Sequence, residues 1–175
     1  GRRKFLGKKD DAITNLCAEI CKEEFKEYTV YLGSRKNKIP NNILSWNGDI
    51  IISFLFPKYI PLKLISKAEN LAINFHPGPP AWPGIGCTNY AIYNQEKFFG
   101  VTSHFISEKI DDGEIIQYTK FPIQKNETVY SLTQRSYIHL LQNFILLINN
   151  IKLKKDIKPL KKVKWKIKAK TRKEF

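Results

Sequence analysis

The run Asp49-Ile50-Ile51-Ile52-Ser53-Phe54 limits the possible folds more than any other part of the chain. Successive β-branched residues leave no polar side for water, so the run suits a strand covered on both faces, as in a parallel sheet flanked by helices. Parallel strands need crossover connections, and the surrounding sequence supplies them. Lys4-Phe5-Leu6, ending at Gly7, reads as a first strand. Ile13, Leu16, Cys17, Ile20, Cys21 and Phe25 then recur at helical spacing. Tyr28 to Leu32 is a second strand and Asp49 to Phe54 a third. Pro61 suits the first turn of a helix over Leu62 to Ala68, and Leu71 to Phe75 is a fourth strand. Gly86 to Tyr93 reads as a helix, Gly100 to Ile106 and Glu114 to Phe121 as strands. Leu132, Ile138, Leu141, Phe144, Ile145 and Ile148 mark a long amphipathic helix from Thr128 to Asn149. The expectation is one α/β domain over residues 1–150 with a basic extension over 151–175.

Charge and cysteine content narrow the setting. Residues 151–175 carry twelve Lys or Arg against two Asp or Glu, so most of the net +14 belongs to the last 25 residues. Such a segment attracts nucleic acid, an anionic membrane or a phosphorylated small molecule through the same long-range potential, or it is one solvated face. From Lys162 to Lys170, lysines alternate with Val163, Trp165, Ile167 and Ala169, the period of a half-buried strand. A strand or hairpin is therefore expected there, packed on the core or pairing with a second copy in a homodimer. Cys17, Cys21 and Cys87 form neither an even disulfide set nor a paired metal motif, and they read as reduced thiols in a cytoplasmic protein with no metal. No apolar run approaches the ~18 residues of a spanning helix, so no membrane partner is expected. With no Met at position 1, Gly1 reads as a product of processing.

The chemistry gathers after the fourth strand. Asn74 and His76 are two apart on an extended segment and project to one side, at the carboxyl end where open α/β sheets hold their ligands. The segment His76-Pro77-Gly78-Pro79-Pro80-Ala81-Trp82-Pro83-Gly84 has six Pro or Gly in nine residues, cannot join the sheet, and has little entropy left to lose. A later loop, Ser107 to Gly113, offers the adjacent carboxylates Asp111 and Asp112. An amide donor, an imidazole and an orienting carboxylate suit acyl transfer; equally, a single histidine at a strand end can be structural. Lys8 and Lys9, at the carboxyl end of the first strand, stand where a pyrophosphate would meet the sheet, or are solvated turn lysines.

Four segments in order resemble the folate-dependent formyltransferases: Asn74-Phe75-His76-Pro77, the turn ending Pro83-Gly84, Gly100-Val101-Thr102-Ser103-His104, and Asp111-Asp112-Gly113. The likeness runs from about Phe5 to Phe121, with Thr171-Arg172-Lys173-Glu174 similar to the tail of small sugar N-formyltransferases. It implies a Rossmann-like formyltransferase fold, a mostly parallel twisted sheet flanked by helices with a short C-terminal β extension. It also implies a catalytic set of Asn74, His76 and Asp111, where Asp111 rather than Asp112 precedes one variable residue and a Gly. The implied co-substrate is 10-formyltetrahydrofolate, held near Phe54, Leu55, Phe56, Tyr59, Ile110 and Asp111, with no metal. Trp82, Gly84 and Ile85 would join Lys8 and Lys9 in binding the acceptor.

The Pro-rich turn resembles that of enzymes acting on nucleotide-linked amino sugars, and with 54 residues after 121 a tRNA-gripping domain is not expected. The expected acceptor is thus a dTDP-3-amino or dTDP-4-amino dideoxyhexose. A purine-pathway amine is the alternative. A basic nucleic-acid-binding module is a more distant one, since strand aromatics such as Tyr28 and Tyr31 usually serve a core.

Overall fold

A computed structural model describes residues 1–173. Its sheet has six strands in the order β2-β1-β3-β4-β5-β6: β1 Arg3–Lys8, β2 Tyr28–Gly33, β3 Gly48–Phe54, β4 Ala68–His76, β5 Phe98–Phe105 and β6 Ile115–Pro122. The first four are mutually parallel, and β5 and β6 join antiparallel, so the sheet is mixed. Five helices connect or flank the strands: α1 Ala12–Glu24, α2 Asn41–Leu44, α3 Leu62–Ile65, α4 Cys87–Tyr93 and α5 Val129–Lys152. This is the α/β architecture expected from the β3 run. Ile50, Ile51, Ile52 and Phe54 are all buried, Ile50 and Ile52 in the core that α1 and α5 cover and Ile51 in a second cluster with Leu6, Ile43 and Leu64.

Helix boundaries follow local chemistry. Asp11 caps α1 by accepting the Thr14 N–H at 2.9 Å, and Thr128 and Ser131 form a reciprocal capping box at the start of α5. Phe144 on α5 sits at the centre of the main core, with ring centroids 5.3 Å from Phe75, 5.6 Å from Phe54 and 6.2 Å from Phe5.

Several expectations are corrected. The helix read over Leu62 to Ala68 stops at Ile65, because Ala68 already pairs with Gly48 in the sheet. On α1, Leu16 is exposed while Cys17 and Cys21 are buried. On α5 the buried line runs through Leu132, Ser136, Leu140, Asn143, Phe144, Leu147 and Ile148, leaving Ile138 and Ile145 exposed. Ser136 and Asn143 can face inward because Ser136 donates to Thr133 O and Asn143 accepts from the Thr119 hydroxyl; apolar periodicity counts them as outward. Helix α2 lies in a stretch read only as polar. The alternation after Pro159 builds no named strand among the described residues. It gives an irregular strap with one bridge, Gly84 to Lys170, in which Trp165 is half-buried and Ile167 exposed. Glu174 of the expected tail motif lies outside the described residues.

Candidate active site

The parallel-to-antiparallel change between β4 and β5 assembles the site. Asn74 pairs with His104 in that register, so the β4 end carrying Asn74 and His76 lies beside the β5 end carrying His104. The chain then turns back through residues 106–114 and brings Asp111 over both. Asp111 adopts a left-handed backbone, φ +43°, and Gly113 follows where a Cβ would lie 1.7 Å from the Phe105 carbonyl, which makes the glycine obligatory.

Asp111 is the hub, and its carboxylate is 8% exposed. Oδ2 lies 3.1 Å from His76 Nδ1 and accepts the Gly84 N–H at 2.8 Å. Oδ1 lies 3.1 Å from His104 Nε2 and accepts from the Asn74 amide at 3.3 Å. The second nitrogen of each imidazole also faces an oxygen: His76 Nε2 is 3.0 Å from Trp82 O, and His104 Nδ1 is 2.7 Å from Phe105 O. Burial alone would raise the Asp111 carboxyl, but the His76 charge, the two interactions with His104 and the Gly84 N–H outweigh it and hold it down at about 2. Burial lowers the His76 imidazole, against the upward pull of the Asp111 carboxylate and the Trp82 carbonyl. The cluster is therefore an ionised carboxylate fixing two imidazoles and an amide, an arrangement suited to proton transfer and to stabilising an oxyanion.

The turn from Pro77 to Ile85 completes the frame. Thr102 Oγ1 donates to Gly78 O at 2.7 Å, Trp82 stacks on Tyr90 at 5.3 Å, and Gly84, at φ +86°, turns its N–H onto Asp111. Asn74, His76 and Asp111 are thus brought together, while Asp112 is exposed beside them. His104 was quoted in the sequence pattern but assigned no role; its pairing opposite Asn74 is a long-range contact that periodicity does not carry.

The remaining sequence candidates are placed differently. Phe54 is fully buried against Phe75 and Phe144, so its ring is a core group and only its backbone can reach a ligand. Phe56 packs on Tyr31 at 6.0 Å, Leu55 (φ +50°) is half-buried, and Tyr59 and Ile110 are exposed. Lys8 lies 3.6 Å from Asp11, which itself occupies the α1 N-terminus, and Lys9 is exposed. Ile85 donates its N–H to Lys170 O at 3.1 Å. A cavity of about 390 Å³ lies between the Asp112 to Ile115 turn and strap residues that include Pro159, Val163 and Trp165, and none of Asn74, His76, His104 or Asp111 lines it. No His, Cys, Asp and Glu group suited to a metal ion occurs among the described residues.

The formyl transferase family model matches residues 8–145. The chain belongs to that family. Among curated relatives, the methionyl-tRNA formyltransferase of Limosilactobacillus fermentum is 33% identical over 123 residues, covering 69% of this chain and 38% of that protein. That of Pediococcus pentosaceus is 30% identical over 94 residues, covering 53% and 29%. The chain thus spans about a third of the length of these relatives. Among solved structures, an N-formyltransferase from Helicobacter canadensis in complex with folinic acid and dTDP-3-aminofucose aligns with TM-score 0.78 at 21% identity, over 99% of this chain and 72% of that one. The formyltransferase PseJ from Anoxybacillus kamchatkensis, in complex with a UDP-linked formamido sugar and tetrahydrofolate, aligns with TM-score 0.71 at 24% identity, over 95% and 84%. These likenesses show the shared fold.

Proposed function

We propose that this formyltransferase-family chain transfers a formyl group to the amine of a nucleotide-linked amino sugar, with Asn74, His76 and Asp111 as its catalytic residues. The observation that carries this reading is the buried carboxylate of Asp111, shared at the carboxyl end of β4 by His76, His104, Asn74 and the N–H of Gly84 in the following turn. The proposed donor, 10-formyltetrahydrofolate, supplies an activated formyl carbon. When the acceptor amine attacks, negative charge develops on the formyl oxygen, and the Asn74 amide and an N–H of His76 are the donors to meet it. Asp111, ionised across the neutral range, keeps His76 oriented and stabilises its protonated form. The amine proton passes to the cluster, and the imidazole returns a proton to the departing nitrogen, so charge and atoms balance over the cycle.

The folds of the Helicobacter canadensis and PseJ enzymes support a nucleotide-sugar acceptor; the methionyl-tRNA formyltransferase relatives favour a charged tRNA as the second reading. Incubation with 10-formyltetrahydrofolate and, separately, dTDP-3-amino and dTDP-4-amino sugars, a phosphoribosyl amine and methionyl-tRNA, with mass spectrometry of each acceptor, tests both. Formylation of an amino sugar supports the proposal. Formylation of methionyl-tRNA alone replaces it.

A further inference from the structure

The proposed catalytic groups are closed off in this structure by the chain's own C-terminal strap. Trp165 lies edge-on to both imidazoles, its ring centroid 5.7 Å from that of His76 and 5.1 Å from that of His104, and its indole N–H donates to Gly113 O at 2.8 Å. On either side the strap is tied to the Pro-rich turn. Lys166 N–H donates to Pro80 O at 3.0 Å, Lys170 N–H to Pro83 O at 3.1 Å, and Ile85 N–H to Lys170 O. Between those anchors the turn presents Trp82 O to His76 Nε2 and Gly84 N–H to Asp111.

Two consequences follow for the cluster. His76 is only 3% exposed, although a reacting group has to reach it. Its donors are also drawn inside the protein: both His76 nitrogens face protein oxygens, and the Asn74 amide donates to Asp111 Oδ1. An imidazole whose two nitrogens both face protein oxygens offers no free N–H to a developing oxyanion.

We propose that residues 160–170 form a removable cap, with Trp165 as its plug, that holds His76 and Asp111 in a self-satisfied resting arrangement and lifts before an acceptor binds. This rests on the formyl-transfer reading for its purpose, but the cap itself is a property of the free chain. Lifting takes the indole off the imidazoles and frees the turn from Lys166 and Lys170. The Trp82 carbonyl can then move off His76 Nε2 and leave that N–H for the substrate. Besides these contacts, Leu160 N–H donates to Ile115 O at 2.7 Å and the Lys170 ammonium lies 3.5 Å over the Tyr90 ring, and between Leu160 and Lys170 the strap carries no helix or strand, as expected of a segment that opens locally.

The test labels histidines with diethyl pyrocarbonate at fixed neutral pH and follows each site by peptide mass spectrometry. His139 is the internal reference, since it stacks on Phe121 at 4.1 Å and has no contact with the strap among those described. In Trp165→Ala, His76 and His104 should label at least about tenfold faster than in the unmodified chain while His139 is unchanged, and Trp165→Phe, which restores a ring, should return most of the protection. An unchanged His76 rate in Trp165→Ala, or a parallel rise at His139, overturns the proposal. Should Trp165→Ala fail to fold, hydrogen exchange of the unmodified chain decides. The amides of Ile85, Lys166 and Lys170 should exchange at least about a hundredfold faster than those of Ile52 and Phe75, and equal protection overturns the proposal. Absence of formyl transfer to any acceptor would remove the proposed function while leaving the labelling result standing.

Discussion

Replacing Asp111 by Asn keeps the side chain's shape and removes its charge. All four of its partners approach through nitrogen: His76 Nδ1 and Gly84 N on Oδ2, His104 Nε2 and Asn74 Nδ2 on Oδ1. The best orientation of the new amide leaves its oxygen on the Gly84 and His76 side and turns its NH2 toward His104. His104 can meet it by accepting at Nε2 while Nδ1 donates to Phe105 O. Asn74 loses its acceptor on that residue. Replacing a charge-assisted acceptor inside the cluster by a neutral one costs about 1–3 kcal/mol, so Asp111→Asn should fold, with a Tm lower by roughly 2–12 °C for a chain of this size. The rate of formyl transfer should fall by about 10² to 10⁴, because the imidazole loses the charge that holds its proton. Asp112→Asn, on an exposed side chain, should change stability by less than about 0.5 kcal/mol and leave the rate near that of the unmodified chain. Thermal melts and initial-rate assays on the two variants measure both effects. An active Asp111→Asn beside an inactive Asp112→Asn would refute the assignment of Asp111 as the hub.

Gly84→Ala places a Cβ 2.2 Å from Lys170 O at φ +86°, and should lower stability by about 1–3 kcal/mol in a urea titration while loosening the strap. Phe144→Ala should cost about 3–5 kcal/mol by the same titration, since a fully buried ring in contact with Phe5, Phe54 and Phe75 leaves a cavity. The folded-state pKa of Asp111 lies below its unfolded value, so the stability it contributes, on the order of 2 kcal/mol, is complete above about pH 4 and is lost as pH falls toward about 2. His76, also lowered, adds to the loss below about pH 6.5, where the unfolded chain binds its proton first; urea midpoints across that range should fall with pH, more shallowly between pH 4 and 2 in Asp111→Asn. The Lys8→Ala/Lys9→Ala double variant should raise KM for a nucleotide sugar, and an unchanged KM would show that Asp11 keeps Lys8 as a structural partner.

How far the sequence could be read depended on whether a signal was local. The β3 run, the stripe of α1 and the span of α5 are period signals within one element, and all six strands were legible from them. Asn74 and His76 were legible because two-residue spacing on a strand sets a common side. What escaped was set by distant contacts. His104 acquires its place only through the β4–β5 register, and the inward turn of Asn143 depends on Thr119 on β6. Val163 to Lys170 alternates like a strand, yet its partners are a Pro-rich turn that lacks N–H groups at Pro79, Pro80 and Pro83, so a continuous ladder cannot form and a strap with single bonds results. On the apolar side of the alternation Val163, Trp165 and Ala169 are partly covered and Ile167 is exposed, and Trp165 lies on the imidazoles rather than on an apolar core.

The central claim is that the cluster around Asp111 transfers a formyl group to an amino sugar, with His76 as donor and proton carrier. Its most direct test is transfer from carbon-13-labelled 10-formyltetrahydrofolate to a dTDP-amino sugar, followed by NMR of the formamide carbon, in the unmodified chain and in His76→Ala. The account predicts a formamide signal that grows with the unmodified chain and about 10² to 10³ more slowly with the variant. No labelled formamide with either dTDP-amino sugar, or equal rates in the two proteins, would contradict it.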